Sequence, residues 1–169
     1  MSVPRAINHI GLSVPDIHAA FAWYRDILGC VPLQPPAAPP NSPRSNKIGR
    51  DIFGARLEGL LMAHLVTANG VGIEMFQFIK PATRVPDNTF EYERAGLFHF
   101  SITAPDINAL AESIRANGGR ILSQIWPFFK NRDTAVVYCQ DPWGTVIELS
   151  TRSYEQTWSN LVPGERFDE

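Results

Sequence analysis

The sequence predicts an α+β protein made of two β-α-β-β-β modules. Three observations carry this expectation. His9-Ile-Gly-Leu-Ser-Val-Pro-Asp16-Ile17 reads without a gap against His99-Phe-Ser-Ile-Thr-Ala-Pro-Asp106-Ile107. The lag of 90 residues is too long for most solenoid repeats and suits a duplicated half. In both copies a run of alternating apolar and polar residues gives way to apolar residues at helical spacing.

The elements follow in order. Residues 7–14 and 97–104 read as strands buried on one face. Ile10, Leu12 and Val14 alternate with His9, Gly11 and Ser13. In the second copy Phe98, Phe100 and Ile102 take the core positions, and His99, Ser101 and Thr103 point the other way. Asp16 and Asp106 are suited to cap helices, because a short carboxylate accepts the unpaired N–H groups of a first turn. Behind them Ile17, Phe21, Tyr24 and Leu28, and likewise Ile107, Leu110, Ala111 and Ile114, fall on one helical face. Gly29 and Gly118-Gly119 end the two helices. Strands are then expected at 60–67 and 72–78 around Ala68-Asn69-Gly70, and at 134–139 and 145–150 around Asp141-Pro-Trp-Gly144, which has β-turn residues in the expected places. The halves differ mainly after the helix. The first carries a Pro-rich insert, 34–50, expected as a solvated loop, and the second has the shorter Gln124–Asn131 with the aromatic cluster Trp126-Pro-Phe-Phe129. The modules divide as 1–81, with the insert, and 82–169, with a linker, the second module and a tail.

Composition excludes several classes of function. The chain has 169 residues, 44% of them hydrophobic, which is enough for an interior. Fifteen Lys and Arg against seventeen Asp and Glu give a net charge of −2, so there is no basic excess for a phosphate backbone and no nucleic-acid partner is expected. No apolar run is long enough to cross a bilayer, and the N-terminus has no secretory pattern. With Cys30 and Cys139 as its only cysteines, the chain reads as a cytoplasmic protein with reduced thiols.

Alternation singles out four side chains. His9 and His99 lie opposite the helix-packing residues of their strands. Glu74, between Ile73 and Met75, and Glu148, between Ile147 and Leu149, are carboxylates whose neighbours must point the other way. Two imidazoles and two carboxylates meeting in a cavity make a divalent-metal site with room for water or substrate. His64 lies ten residues before Glu74, and Tyr138 ten before Glu148, so both can face the same cavity. His18, beside the Asp16 cap, is expected in solvent. Arg44, Lys47 and Arg50 give the insert a positive charge that could receive an anionic group.

Ile7-Asn8-His9-Ile10-Gly11-Leu12-Ser13-Val14, Phe98-His99-Phe100 and Asp141-Pro-Trp-Gly-Thr-Val-Ile-Glu148 together resemble the vicinal oxygen chelate superfamily, over about residues 6–151. Glyoxalase I, extradiol dioxygenases, fosfomycin-resistance proteins, methylmalonyl-CoA epimerase and bleomycin-binding proteins belong to it. The resemblance implies paired modules curled around one divalent ion (Ni, Co, Zn, Mn or Fe), with His9, Glu74, His99 and Glu148 at the ligand positions. Carboxylates at both glutamate positions are closest to glyoxalase I. The implied activity is that of a lyase or isomerase acting on a small carbonyl or thioester-type substrate through an enediolate, with Glu74 or Glu148 as the base. Two alternatives stay open: an oxygenase using His9, His99 and Glu148, and a non-enzymatic protein sequestering a drug-like ligand in the manner of bleomycin-resistance proteins. A homodimer is the implied assembly.

Overall fold

A computed structural model describes residues 2–85, 87 and 90–165. The chain divides into two compact units, Met1–Val85 and Pro86–Glu169.

The first unit runs β1 (His9–Ser13), α1 (Ile17–Asp26), β2 (Val31–Ala37), α2 (Pro43–Phe53), β3 (Gly59–Val66) and β4 (Gly72–Lys80). Its four strands make one mixed sheet in the order β1-β4-β3-β2. The β1/β4 pair is parallel and sets His9 beside Gly72 and Gly11 beside Glu74. The β3/β4 pair is an antiparallel hairpin that sets His64 opposite Glu74. Period two then sorts the faces. Ile73, Met75, Ala63 and Leu65 are buried beneath α1, whose Ile17, Ala20, Phe21 and Tyr24 fill the core. Asp16 caps that helix as expected, accepting from the amides of His18 and Ala19 at 3.1 and 3.0 Å. His18 is exposed.

The second unit repeats the plan with β5 (Phe100–Thr103), α3 (Ile107–Ala116), β6 (Arg120–Ile121), β7 (Trp126–Pro127), β8 (Ala135–Gln140), β9 (Val146–Ser150) and a short α4 (Tyr154–Trp158). Its five-stranded sheet has the order β5-β9-β8-β6, with β7 also paired to β8. Again the outer pair is parallel, with Ser101 beside Glu148, and a hairpin sets Tyr138 opposite Glu148. The fold is therefore the expected α+β repeat, realised as two open mixed sheets of four and five strands. The Asp141 turn forms as read, its carboxylate accepting from the amides of Trp143 and Thr145 at 2.9 and 2.7 Å.

Two expectations change, and the structure decides the aromatic loop, for which the sequence left core packing and a dimer contact open. The Pro-rich insert is not a loop throughout. Its first prolines lie in β2, an edge strand where a missing N–H costs least, and Ser42-Pro43 then opens α2. Phe98 is 38% exposed rather than core, because β5 begins only at Phe100. The aromatic loop splits. Trp126 is exposed, whereas Phe129 is buried, packs edge-on against Trp158 of α4, and lies 5.5 Å beneath the Arg132 guanidinium. Arg132 also binds the Glu165 carboxylate and the carbonyls of Ser159 and Asn160, which fastens the tail onto the 128–134 loop.

Candidate metal centre

Each unit presents one His–Glu pair on the sheet face turned away from its first helix. In the first unit, His9 Nε2 lies 3.3 Å from a Glu74 oxygen. Asn8 orients the ring, with its Oδ1 2.8 Å from His9 Nδ1. An imidazole that donates from Nδ1 keeps its Nε2 lone pair free for a metal. The close approach of β1 and β4 depends on Gly72, because a Cβ there would meet the His9 Cβ at 2.9 Å. His64 also reaches Glu74, with Nδ1 3.9 Å from its second oxygen. These three side chains, with Asn8 and Leu33, line a groove of about 400 Å³.

In the second unit, His99 Nε2 lies 3.9 Å from Glu148. The His99 ring meets Phe98 and Tyr138 edge-on, and its Nδ1 is buried with no hydrogen-bond partner among the described residues. Such a nitrogen is costly unless something else engages the ring. Glu148 is held firmly. The Ser101 hydroxyl donates to it at 2.8 Å, and the Tyr138 hydroxyl donates to it as well. Burial first, and then the Glu148 carboxylate, push the Tyr138 phenol well above its ordinary pKa.

The two pairs differ at two repeat-equivalent positions. Where the second unit has Ser101 beside its glutamate, the first has Gly11; where the second has Tyr138 opposite, the first has His64. Glu148 is thus bound by two hydroxyl donors, and Glu74 is approached by two imidazoles.

Two ligand atoms held by one divalent ion at about 2.1 Å lie roughly 3.0 to 3.4 Å apart, so the His9–Glu74 spacing suits two donors of one ion. The donor set, two imidazoles and two carboxylates, is of the right chemistry. Within either unit, among the described residues, no three His, Cys, Asp or Glu side chains gather closely enough to hold an ion alone. Each unit presents one imidazole and one carboxylate close together.

The cations of the insert do not join this group. Arg44, Lys47 and Arg50 are exposed on α2, on the side opposite Ser45, Gly49 and Phe53, and it is Phe53 that meets the sheet at Phe76 and Phe78. The signals that sequence reasoning missed were Asn8, whose Oδ1 accepts from His9, and Ser101, which donates to Glu148. Alternation had already placed Ser101 on the right face.

Residues 6–149 match the family described as Glyoxalase/Bleomycin resistance protein/Dioxygenase superfamily. The chain belongs to this superfamily. Solved structures that share the superfamily fold include a glyoxalase family protein from Bacillus cereus, 18% identical, covering 89% of this chain and 95% of that one with a TM-score of 0.72. Fosfomycin resistance protein FosX from Listeria monocytogenes, complexed with Mn(II) and 1S,2S-dihydroxypropylphosphonic acid, is 15% identical over 93% of this chain and 98% of its own, with a TM-score of 0.59. A glyoxalase I mutant from Zea mays is 20% identical over 87% of this chain and 45% of its own, with a TM-score of 0.58. At these identities the likeness speaks for the superfamily fold alone. Among curated proteins none matches the chain. No helix of the described residues is long and apolar enough to cross a membrane.

Proposed function

We propose that the protein is a metal-dependent lyase or isomerase of glyoxalase I type, acting on a small carbonyl or thioester-type substrate through an enediolate. His9, Glu74, His99 and Glu148 would hold one divalent ion. The observation that carries this reading is the unequal treatment of the two glutamates. Glu148, fixed by Ser101 and Tyr138, is built to stay in place. Among the described residues Glu74 is approached by the imidazoles of His9 and His64, and in this reading it is the carboxylate that moves.

The ion, when bound, supplies Lewis acidity to two neighbouring substrate oxygens and so makes the adjacent C–H acidic. Glu74 takes that proton on a carboxylate oxygen and returns it to the neighbouring carbon. His64, across the strand pair from Glu74, borders the path of this movement. His9, held by Asn8, keeps its orientation while Glu74 shifts. FosX with its Mn(II), sharing the fold, supports a divalent ion here. The partners of this reading are a small-molecule substrate and a second copy of the chain, in a homodimer.

Two measurements on purified protein test it. After reconstitution, wild type should retain about one equivalent of divalent metal, and His9→Ala and Glu148→Ala should lose most of theirs; full retention by both would remove the ligand set. Glu74→Gln keeps the volume and an oxygen but loses the base. Exchange of the substrate α-hydrogen with deuterated solvent, followed by proton NMR on hemithioacetals, 2-hydroxycarbonyls and acyl thioesters, should fall by roughly two to four orders of magnitude with metal still bound. Wild-type exchange in the loaded variant would remove Glu74 as the base. No exchange by wild type on any of these compounds would end the isomerase reading, and oxygen uptake on catechols would then favour the oxygenase.

A further inference from the structure

Beside Glu74, the face of the first sheet is unevenly furnished. Along β4 the residues on this face are Gly72, Glu74, Phe76 and Phe78, so the carboxylate is followed by two phenyl rings about 6.8 Å apart along the strand. Phe76 and Phe78 stack nearly parallel, with centroids 5.9 Å apart and an angle of 9°, and Phe53 at the end of α2 meets both edge-on. Beside Phe76, β1 sets Ser13 and β3 sets Met62. Gly11 stands beside Glu74, and a Cβ built on it would have one neighbour within 4 Å apart from the adjoining chain, the edge of the Phe76 ring at 3.9 Å.

Gly11 is therefore not demanded by the backbone. Its φ is not in the left-handed region, and the space above it would admit a side chain. A glycine inside a strand weakens the strand, and it recurs where another molecule approaches the backbone closely. At the equivalent place the second unit carries Ser101. The result in the first unit is a bare strip of backbone, with a carboxylate at one end and a flat aromatic wall at the other.

We infer that the substrate carries a planar apolar body, which lies over Gly11 against the Phe76 ring while its oxygens face Glu74 and His9. Ring faces stack or meet edge-on with aromatic partners, and such pairs add affinity beyond the area they bury. Gly11 and Phe76 thus determine specificity. The assignment rests on the proposed metal centre for the position of the oxygens, and on the Phe76 wall for the rest.

Two hydroxamic acids separate these parts, because they share one vicinal-oxygen chelating head and differ only in a phenyl group. Benzohydroxamic acid and acetohydroxamic acid would be titrated calorimetrically into the full chain, loaded with Mn(II) and metal-free. In the loaded protein the benzo compound should bind at least tenfold more tightly than the aceto compound. Phe76→Ala should abolish most of that preference, and Gly11→Val, which fills the strip without touching Phe76 in sequence, should do the same; circular dichroism checks that each variant is folded. Equal affinities in loaded wild type, or a preference that survives in both folded variants, would overturn the inference and leave the metal centre standing. Equal binding of the benzo compound with and without Mn(II), still sensitive to both variants, would uphold the apolar strip and sink the metal centre. No binding of either compound would overturn both.

Discussion

Gly72 shows how much of the candidate site depends on a hydrogen atom where other residues have a methyl. A Cβ there meets the His9 Cβ, an atom that no rotamer can move, so Gly72→Ala must push β1 and β4 apart. Overpacking of this kind costs about 1–3 kcal/mol, and the His9–Glu74 spacing is what it disturbs. The variant should fold yet bind divalent metal at least tenfold more weakly in a competition titration. Tyr138 offers a reading by light absorption. Its pKa is raised by burial and by Glu148, so the stability linked to it is fully present below the ordinary tyrosine range and is lost as pH climbs through the raised value. The difference in tyrosinate absorbance between wild type and Tyr138→Phe should develop above pH 10, the usual tyrosine value. At this scale the sequence was informative about chemistry. Period two put His9, Glu74, His99 and Glu148 on the faces turned away from the helices, and the ten-residue offset put His64 and Tyr138 beside the glutamates. It could not foretell that Asn8 orients one imidazole, since a neighbour in sequence usually points away, nor that Ser101 and Gly11 would make the glutamates unequal.

The elements were legible wherever two signals agreed. Asp caps ahead of apolar spacing found α1 and α3, and Gly turns found both hairpins. The Pro-rich insert hid α2 because its prolines drew attention from Ser42, which accepts from the amide of Ser45 at 3.1 Å with Pro43 in the first turn behind it. Likewise Ser153 and Gln156 form a reciprocal cap on α4 that a reading of composition passes over. The two kinds of helix should respond differently to the loss of a cap. Asp16→Ala removes acceptors from a helix that fills the core, so urea unfolding should show a loss of about 1 kcal/mol. Ser42→Ala acts on a helix with no buried side chain. Its amides should exchange faster with deuterium while the global urea midpoint stays in place, because local opening does not draw on the core.

For the molecule as a whole, the repeat was the most telling feature, since one lag announced both units and their order of elements. It also shows where the copies parted. The lag is 90 residues between the histidines and 74 between the glutamates, so the extra length of the first unit falls between them, where β2 and α2 stand. The proposed homodimer is testable on the intact chain, and sedimentation equilibrium at tens of micromolar should give twice 18.8 kDa. Trp126 is exposed, whereas Phe129 packs against Trp158. The thiols offer a second whole-chain measurement. Burial pushes both Cys30 and Cys139 up to about 11, so both should resist alkylation at pH 8 in the folded protein and react once it is unfolded.

The parallel pairing of β1 with β4 also fixes an order of events on the ribosome. His9 finds its partner strand only when Gly72 has emerged from the exit tunnel, so β1, made first, must wait for the last strand of its sheet. The hairpin β3/β4 forms from neighbours, while β1 must wait for more than sixty residues and bear the entropy of that loop. His9 and Glu74 therefore stay apart through most of the making of the first unit.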